Sequence, residues 1–325
     1  MKFLKLFLIG LPVFLLLFLF FQFLGPGKNK EKERFIVKPE TPQAEIIDNL
    51  VSQKLLKNRT IFNWILAWRG KTISPGAYLV SQNMNAYQLA MVLTSLPYQK
   101  WVTIPEAKRK EQVAYILKQA LDWPEEKMIE FIKIAKEGWL YADTYLINTD
   151  YDAQQAYQKL FDTFNENLDA DLQKALLEKN IRLDTAIKLA SLIEKEYGSE
   201  EDKKIIAGII WNRIDKNMRL EIDATVQYAI TSKNLEQNNY QINDSFDFWP
   251  RVTGGDLRTT PSPYNTYLNK GLPPGPICTP SITTIKAVAF PAETDALYYL
   301  HSPDKQIHTA KTYQEHLENI KEFLN

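Results

Sequence analysis

Two glutamates separated by one lysine, Glu194-Lys195-Glu196, close a run whose spacing is helical, and a carboxyl so placed can give or take a proton. The run extends from Asp184 to Tyr197. Its Ala186, Leu189, Ala190, Leu192, Ile193 and Tyr197 form a broad apolar face, with Lys188 and Lys195 on the opposite side. Asp184 suits the N-cap, and Gly198 suits the residue just past the C-terminus. Glu196 lies one turn beyond Leu192 and Ile193, so its carboxyl emerges beside apolar side chains. Glu194, two positions earlier, points about 200° away, nearer Ala190. Apolar surroundings disfavour the charged form of a carboxyl and raise its pKa, which is what a general acid for glycosidic cleavage needs near neutral pH. Periodicity prefers Glu196 to Glu194 only weakly. Glutamates near a helix end are as a rule solvated or ion-paired, so the residues alone leave a structural role open for both.

Other chemistries find less support. The three histidines, His301, His308 and His316, belong to no HExxH pattern, no CxxC accompanies them, and they read as partly exposed polar residues near the C-terminal end. There is no GxSxG elbow and no GxxxxGK[ST] phosphate loop. Cys278 is the only cysteine, which rules out an intramolecular disulfide; with no evident partner for thiol catalysis it reads as a small buried side chain. No metal and no cofactor are expected. Lys+Arg and Asp+Glu both number 39, so a dominant basic field is absent and nucleic acid is not an expected partner.

The elements that must position the carboxyls follow a long apolar opening. Leu6 to Leu24 is broken only by Gly10, Pro12 and Gln22, and at ~1.5 Å rise its helix would span about 28 Å, close to a bilayer's hydrocarbon core. In water such a helix would need burial on every side. Phe21-Gln22-Phe23-Leu24 offers no small-x-small cleavage site and no cysteine follows for a lipid anchor, so an uncleaved transmembrane helix is expected. Lys2 and Lys5 precede the span and Lys28, Lys30, Lys32 and Arg34 follow it, so the positive-inside rule does not place the body outside. Gly25 to Arg34 reads as a charged linker.

A small α+β subdomain is predicted next. It has a strand at Phe35–Lys38, helices over Pro42–Leu56 and Thr60–Trp68, a strand at Gly76–Val80, and a helix capped by Asn85, with Gln88 completing a capping box, through Leu93. Trp101–Ile104 reads as a further strand, with Pro105 in the first turn of the helix that follows. More helices are expected over Glu125–Ala135, Asp152–Phe164, Asp169–Glu178, Asp184–Tyr197 and Ile205–Ile214. Beyond Asn217, where Pro, Gly, Thr and aromatics increase, loops and short strands are expected, with a last helix after Thr312. The fold class is therefore α+β: anchor and short N-terminus at 1–27, linker at 28–34, small subdomain at 35–99, and a larger mixed α/β domain at 100–325.

Several stretches together resemble the endolytic murein transglycosylase family, also called MltG or YceG-like. They are Leu189–Glu196, Asn212-Arg213, Met218–Val226 and Ser262–Pro280, with Glu137–Tyr145 upstream and, more loosely, Tyr298-Tyr299, His308 and Thr312 downstream. The resemblance runs from the apolar opening to the C-terminus. It implies a single-pass anchor in the cytoplasmic membrane, a LysM-like subdomain at 35–99, and a catalytic domain on the extracytoplasmic, periplasmic side. It also implies cleavage of nascent peptidoglycan glycan strands between N-acetylmuramic acid and N-acetylglucosamine, leaving 1,6-anhydro ends and terminating elongation. It implies, as partners, penicillin-binding protein synthases. The family's catalytic glutamate is the second of the Glu-Lys-Glu triplet, which falls on Glu196. Ala142 and Ala224 stand where the family commonly has proline, and Ala310 stands where an aromatic follows the histidine, which puts local turns and a role for His308 in doubt.

Around Glu196, Tyr264, Asn265 and Thr266 are candidates for holding N-acetyl and hydroxyl groups, against the alternative of a turn that bonds to itself. Asn212 and Arg213 either order the cleft or, the reading preferred slightly, brace a helix. Asp223 is the candidate second carboxylate, orienting substrate or fixing Arg213. Gly271 to Pro276 is expected to be a rigid loop shaping the cleft. Trp139 and Tyr141 fit core packing better than sugar stacking. Two other functions compete with the lyase reading: a muramidase-type hydrolase pairing Asp223 or Glu194 with Glu196, and a non-catalytic, membrane-anchored peptidoglycan-binding scaffold.

Overall fold

The computed structural model of the protein describes residues 21–324. The predicted span at Leu6–Leu24 lies almost wholly outside them, and no helix among the described residues is long and apolar enough to cross a membrane. The chain divides into two compact units, one reaching Val102 and taking back Thr144–Tyr151, the other holding Thr103–Asp143 and Asp152 onward.

The first unit contains β1 (Glu33–Val37), α1 (Gln43–Ser52), α2 (Arg59–Arg69), β2 (Gly76–Val80), α3 (Ala86–Leu93) and most of β3 (Gln99–Ile104), and most of β4 (Asp143–Asn148) completes its sheet. The sheet order is β1-β2-β3-β4, with β1 and β2 antiparallel and Phe35 opposite Tyr78. Alternation places Phe35 and Val37 in the core, where Ile46, Ile47, Leu50, Phe62, Leu66, Leu89 and Leu93 meet them. Asn58 caps α2, and Asn85 with Gln88 forms the capping box of α3. β4 has no counterpart among the elements read from the sequence. Only Tyr145 and Ile147 of its six residues are buried, too short an alternation to stand out beside the helices around it.

The second unit is mostly helical: α4 (Lys110–Leu121), α5 (Glu125–Ile134), α6 (Ala153–Asn167), α7 (Ala170–Glu178), α8 (Leu183–Ile193), α9 (Asp202–Asp215), α10 (Asp223–Gln237), α11 (Gly254–Thr259) and α12 (Ile282–Ala289), then the hairpin β5 (Tyr298–His301) and β6 (Ile307–Ala310), and α13 (Tyr313–Phe323). α8 packs against α9 and α12. It is buried over most of its circumference: Ala186, Ile187, Leu189, Ala190, Leu192 and Ile193 are each 0 % exposed, while Asp184 and Lys188 stay partly exposed. Each large aliphatic side chain so buried contributes about 1.5–3 kcal/mol, which makes α8 a rigid base for whatever follows it.

Three local expectations are corrected here. Pro105 lies ahead of α4 and not in its first turn, because the backbones at Ala107 and Lys108 are bonded to Thr279 and the helix starts only after Arg109. α8 begins before Asp184, which sits in the first turn beside the helix's positive end instead of at the N-cap. α10 and α12 occupy part of the region expected to be loops and short strands. In α10 the buried residues include Thr225, Tyr228 and Thr231, so polar side chains interrupt the apolar stripe by which a helix is recognised.

Candidate active site

α8 ends at Ile193, four residues earlier than its spacing predicts. The amides of Lys195 and Glu196 reach back three residues, to the carbonyls of Leu192 and Ile193, so the Glu-Lys-Glu triplet forms a tightened turn. Two side chains hold the turn. On one side Glu194 is buried, and its Oε2 accepts hydrogen bonds from the Ser281 amide (3.1 Å), the Ser281 hydroxyl and the Thr284 hydroxyl at the start of α12. On the other, Asp202 in the first turn of α9 accepts from the amides of Gly198 (3.1 Å) and Ser199 (2.8 Å) and faces the His301 ring at 3.0 Å. Gly198 therefore serves as a donor to Asp202 instead of closing α8, and a Cβ there would lie 2.9 Å from the His301 ring.

With the turn fixed, Glu196 faces the hairpin. Tyr299 on β5 donates its hydroxyl to Glu196 Oε2 at 2.9 Å. Burial pushes the Glu196 carboxyl up to about 7, and the charge of Asp223 pushes the same way; the Tyr299 hydrogen bond and the positive charges of Lys195 and Arg213 oppose them. Asp223, in the first turn of α10, accepts the Tyr267 hydroxyl at 2.5 Å. Burial and the neighbouring Glu196 hold the Tyr299 hydroxyl well above the usual tyrosine range, so it stays a donor. Glu196, Tyr299, Asp223, Tyr267 and Arg213 thus form one electrostatic neighbourhood built from five parts of the chain.

The other residues singled out from the sequence are engaged by the protein itself. Asn265 is 0 % exposed; its amide donates to the carbonyls of Leu257 and Thr260, and its oxygen accepts the Tyr267 amide. Thr266 accepts the Ile222 amide at 3.0 Å and meets the Thr225 hydroxyl, which ties its loop to the start of α10. Tyr264 packs on Tyr228 with ring centroids 4.8 Å apart. Asn212 donates to the carbonyls of Thr294 and Ala296, and Arg213 to those of Leu297 and Leu220, so both connect α9 to the segment that leads into β5. Arg213 pairs with Glu221 (3.6 Å) and not with Asp223. Trp139 packs against Phe161 and Phe164. Cys278 is fully buried, its thiol directed at the Ser191 carbonyl.

The Gly271–Pro276 loop meets close neighbours at two points. Gly138, at φ +79°, leaves room for Pro276, and a Cβ on Gly275 would lie 2.8 Å from the Tyr264 hydroxyl. A cavity of about 730 Å³ lies along α10 and residues 259–264, lined by Lys233, Asp256, Pro261 and Tyr264 among others, but Glu196 is not part of its wall. Among the described residues no group of three or more His, Cys, Asp or Glu is placed to hold a metal ion.

Tyr299 and Tyr267 are the site residues that sequence reasoning missed as partners of the carboxylates. Both fall in stretches with family-like spacing, yet nothing local distinguishes an aromatic that reaches a distant carboxylate from one that fills a core.

The sequence model of the YceG-like family matches residues 35–322. The chain belongs to the YceG-like family. Its similar proteins include two named endolytic murein transglycosylase. That of Bacillus subtilis is 26 % identical over 313 residues, covering 87 % of this chain and 82 % of the relative. That of Streptococcus pneumoniae serotype 2 is 28 % identical over 195 residues, covering 58 % of this chain. The matched stretch spans about a third of the pneumococcal protein's length, 32 %. A crystal structure of a yceG-like protein from Listeria monocytogenes superposes with a TM-score of 0.59 at 26 % identity, covering 89 % of this chain and 99 % of that one. The family match at residues 35–322 includes Glu196, Asp223, Tyr267 and Tyr299.

Proposed function

We propose that this YceG-like chain is an endolytic lytic transglycosylase of peptidoglycan, with Glu196 as its acid and base. The observation that carries the reading is one carboxyl, at a turn rigidly held by Glu194 and Asp202, pushed up to about 7. Such a group is protonated often enough to donate and ionised often enough to accept near neutral pH. Protonated Glu196 gives its proton to the oxygen joining N-acetylmuramic acid to N-acetylglucosamine, and the bond from that oxygen to C1 breaks. The Glu196 carboxylate then takes the proton of the muramic acid's own 6-hydroxyl, whose oxygen bonds to C1. The products are a 1,6-anhydro end and a free hydroxyl on the departing N-acetylglucosamine; no water is consumed. The attacking hydroxyl belongs to the substrate, so its effective concentration is high from the start. The negative charge of Asp223 near Glu196 would favour the oxocarbenium-like transition state.

The same reading makes Leu6–Leu24 a single-span anchor in the cytoplasmic membrane, with the catalytic domain on the extracytoplasmic side beside penicillin-binding protein synthases. Support for the anchor is the length and apolarity of the run. It also makes residues 35–99 a LysM-like subdomain, supported by the strand-helix-helix-strand order of β1, α1, α2 and β2. A hydrolase is the second reading, because Asp223 lies close enough to Glu196 to raise its pKa and could instead activate a water.

The test is mass spectrometry of nascent and mature peptidoglycan digested by the full-length protein and by its Glu196→Gln variant. Anhydro-muramic ends are expected from the wild type, with a loss of at least about 100-fold in the variant. Reducing ends would replace the lyase by a hydrolase. Products from neither protein would leave a wall-binding scaffold.

A further inference from the structure

We propose that Tyr299 is a positioning residue for Glu196: its hydroxyl, donating to Oε2, leaves Oε1 as the oxygen that carries the proton to the substrate. The inference rests on the acid/base role assigned above to Glu196. Its geometry is direct. Oε2 accepts the Tyr299 hydroxyl at 2.9 Å, while Oε1 has no hydrogen-bond partner among the described residues. A carboxylic acid whose one oxygen already accepts a strong donor places its proton on the other oxygen. Tyr299 cannot exchange roles with Glu196, because burial and the adjacent carboxylate hold its own proton firmly. It is fixed from behind by β5, which pairs with β6 through Tyr299 opposite Thr309.

The same bond sets the ionisation of the acid. The groups that face Glu196 are Asp223 from α10, Arg213 from α9, Lys195 from its own turn, Tyr267 from the loop before α12, and Tyr299 from β5. Burial and Asp223 favour the protonated form; Tyr299, Lys195 and Arg213 favour the carboxylate. Of these, Tyr299 alone touches the carboxyl with a directed hydrogen bond, and it keeps the group able to return as a base after it has acted as an acid.

Tyr299→Phe removes one oxygen and keeps the ring. The full-length variant is compared with wild type by carbon-13 NMR titration of the Glu196 carboxyl, assigned with Glu196→Gln, and by the pH dependence of kcat and KM. The expected result is an upward move of the NMR titration and of the alkaline limb together, on the order of one pH unit, with kcat reduced about tenfold at the plateau and KM little changed. An NMR titration that stays at the wild-type position overturns the proposal, as does a loss confined to KM. Thermal unfolding distinguishes both from a variant that fails to fold, in which case Tyr299→His, which restores a ring donor, must bring the titration back toward wild type or the proposal fails. A titration that moves while the wild type releases no glycan fragments upholds the effect of Tyr299 on Glu196 and removes the transglycosylase reading instead.

Discussion

Glu196 is a destabilised carboxylate, and its cost to the fold should be measurable apart from any activity. Its folded pKa is raised to about 7, so between the ordinary value of 4.5 and that point the native state binds more protons than the unfolded chain. The stability this group contributes is therefore full below the unfolded value and is lost as the pH rises through about 7. Glu196→Gln mimics the protonated acid at every pH. It is expected to match wild type in urea unfolding near pH 4.5 and to exceed it by about 1–3 kcal/mol at pH 8. A difference that does not change with pH would mean that the carboxyl is not desolvated. Its neighbour Glu194 behaves differently although it is one residue away from the same lysine: it is buried with three donors on one oxygen and ties the protein together. Helical spacing separated these two roles only weakly, and it was the family resemblance that pointed to Glu196, because the partners that divide them are Ser281 and Thr284 on one side and Tyr299 on the other.

At the scale of elements, the decisive piece is the tightened turn between α8 and α9. The apolar spacing of Asp184–Tyr197 identifies the helix and its burial, but places its end at Tyr197, whereas the helical hydrogen bonds tighten after Ile193. The reason lies in partners from elsewhere. Glu194 is drawn to the start of α12, and Gly198 and Ser199 to Asp202. Burial raises the Asp202 carboxyl, yet the hydrogen bonds from Ser199, His301 and Gly198 outweigh it and hold the group below the usual range. Glu194→Ala removes the acceptor and leaves the Ser281 amide and the Thr284 hydroxyl buried without it. A loss of about 2–4 kcal/mol is expected in denaturant unfolding, and a loss below about 1 kcal/mol would show that the turn is held by α8 packing alone.

Across the second unit, Arg109 connects parts of the chain far apart in sequence. It stands at the start of α4 with 0 % exposure, donates to the Tyr228 carbonyl (3.3 Å) and the Ser232 hydroxyl (2.8 Å) of α10, pairs with Glu111 (3.0 Å), and lies 4.1 Å over the Tyr228 ring. Glu137 sits in the same surroundings: burial, with Glu111, pushes its carboxyl up to about 8 against the pull of Arg109 and Lys110. Arg109→Ala would leave Glu111 buried without its cation, and a loss of about 3–5 kcal/mol is expected. The comparison is equilibrium unfolding of the full-length proteins; near-wild-type stability would show that α4 and α10 are joined by apolar contacts alone. Neither Arg109 nor this network was singled out from the sequence, since a lone arginine before a helix reads as an exposed charge until its surroundings are known.

Local physics was readable without the fold. The capping box at Asn85 and the helix that leads to Glu196 depend on neighbours within a few residues, and residue type marked the strand at Gly76–Val80 and the buried Cys278 before their distant partners were known; the structure has all four. What depended on distant partners was decided only by tertiary structure. Asn265 and Thr266 turned inward because carbonyls and amides of α11 and α10 needed partners. Asp223 met Tyr267, 44 residues away, and Glu196 met Tyr299, 103 residues away. A helix and its caps are specified by short-range sterics and hydrogen bonds, whereas the ionisation of a carboxyl is set by whatever charges and donors the folded chain brings to it.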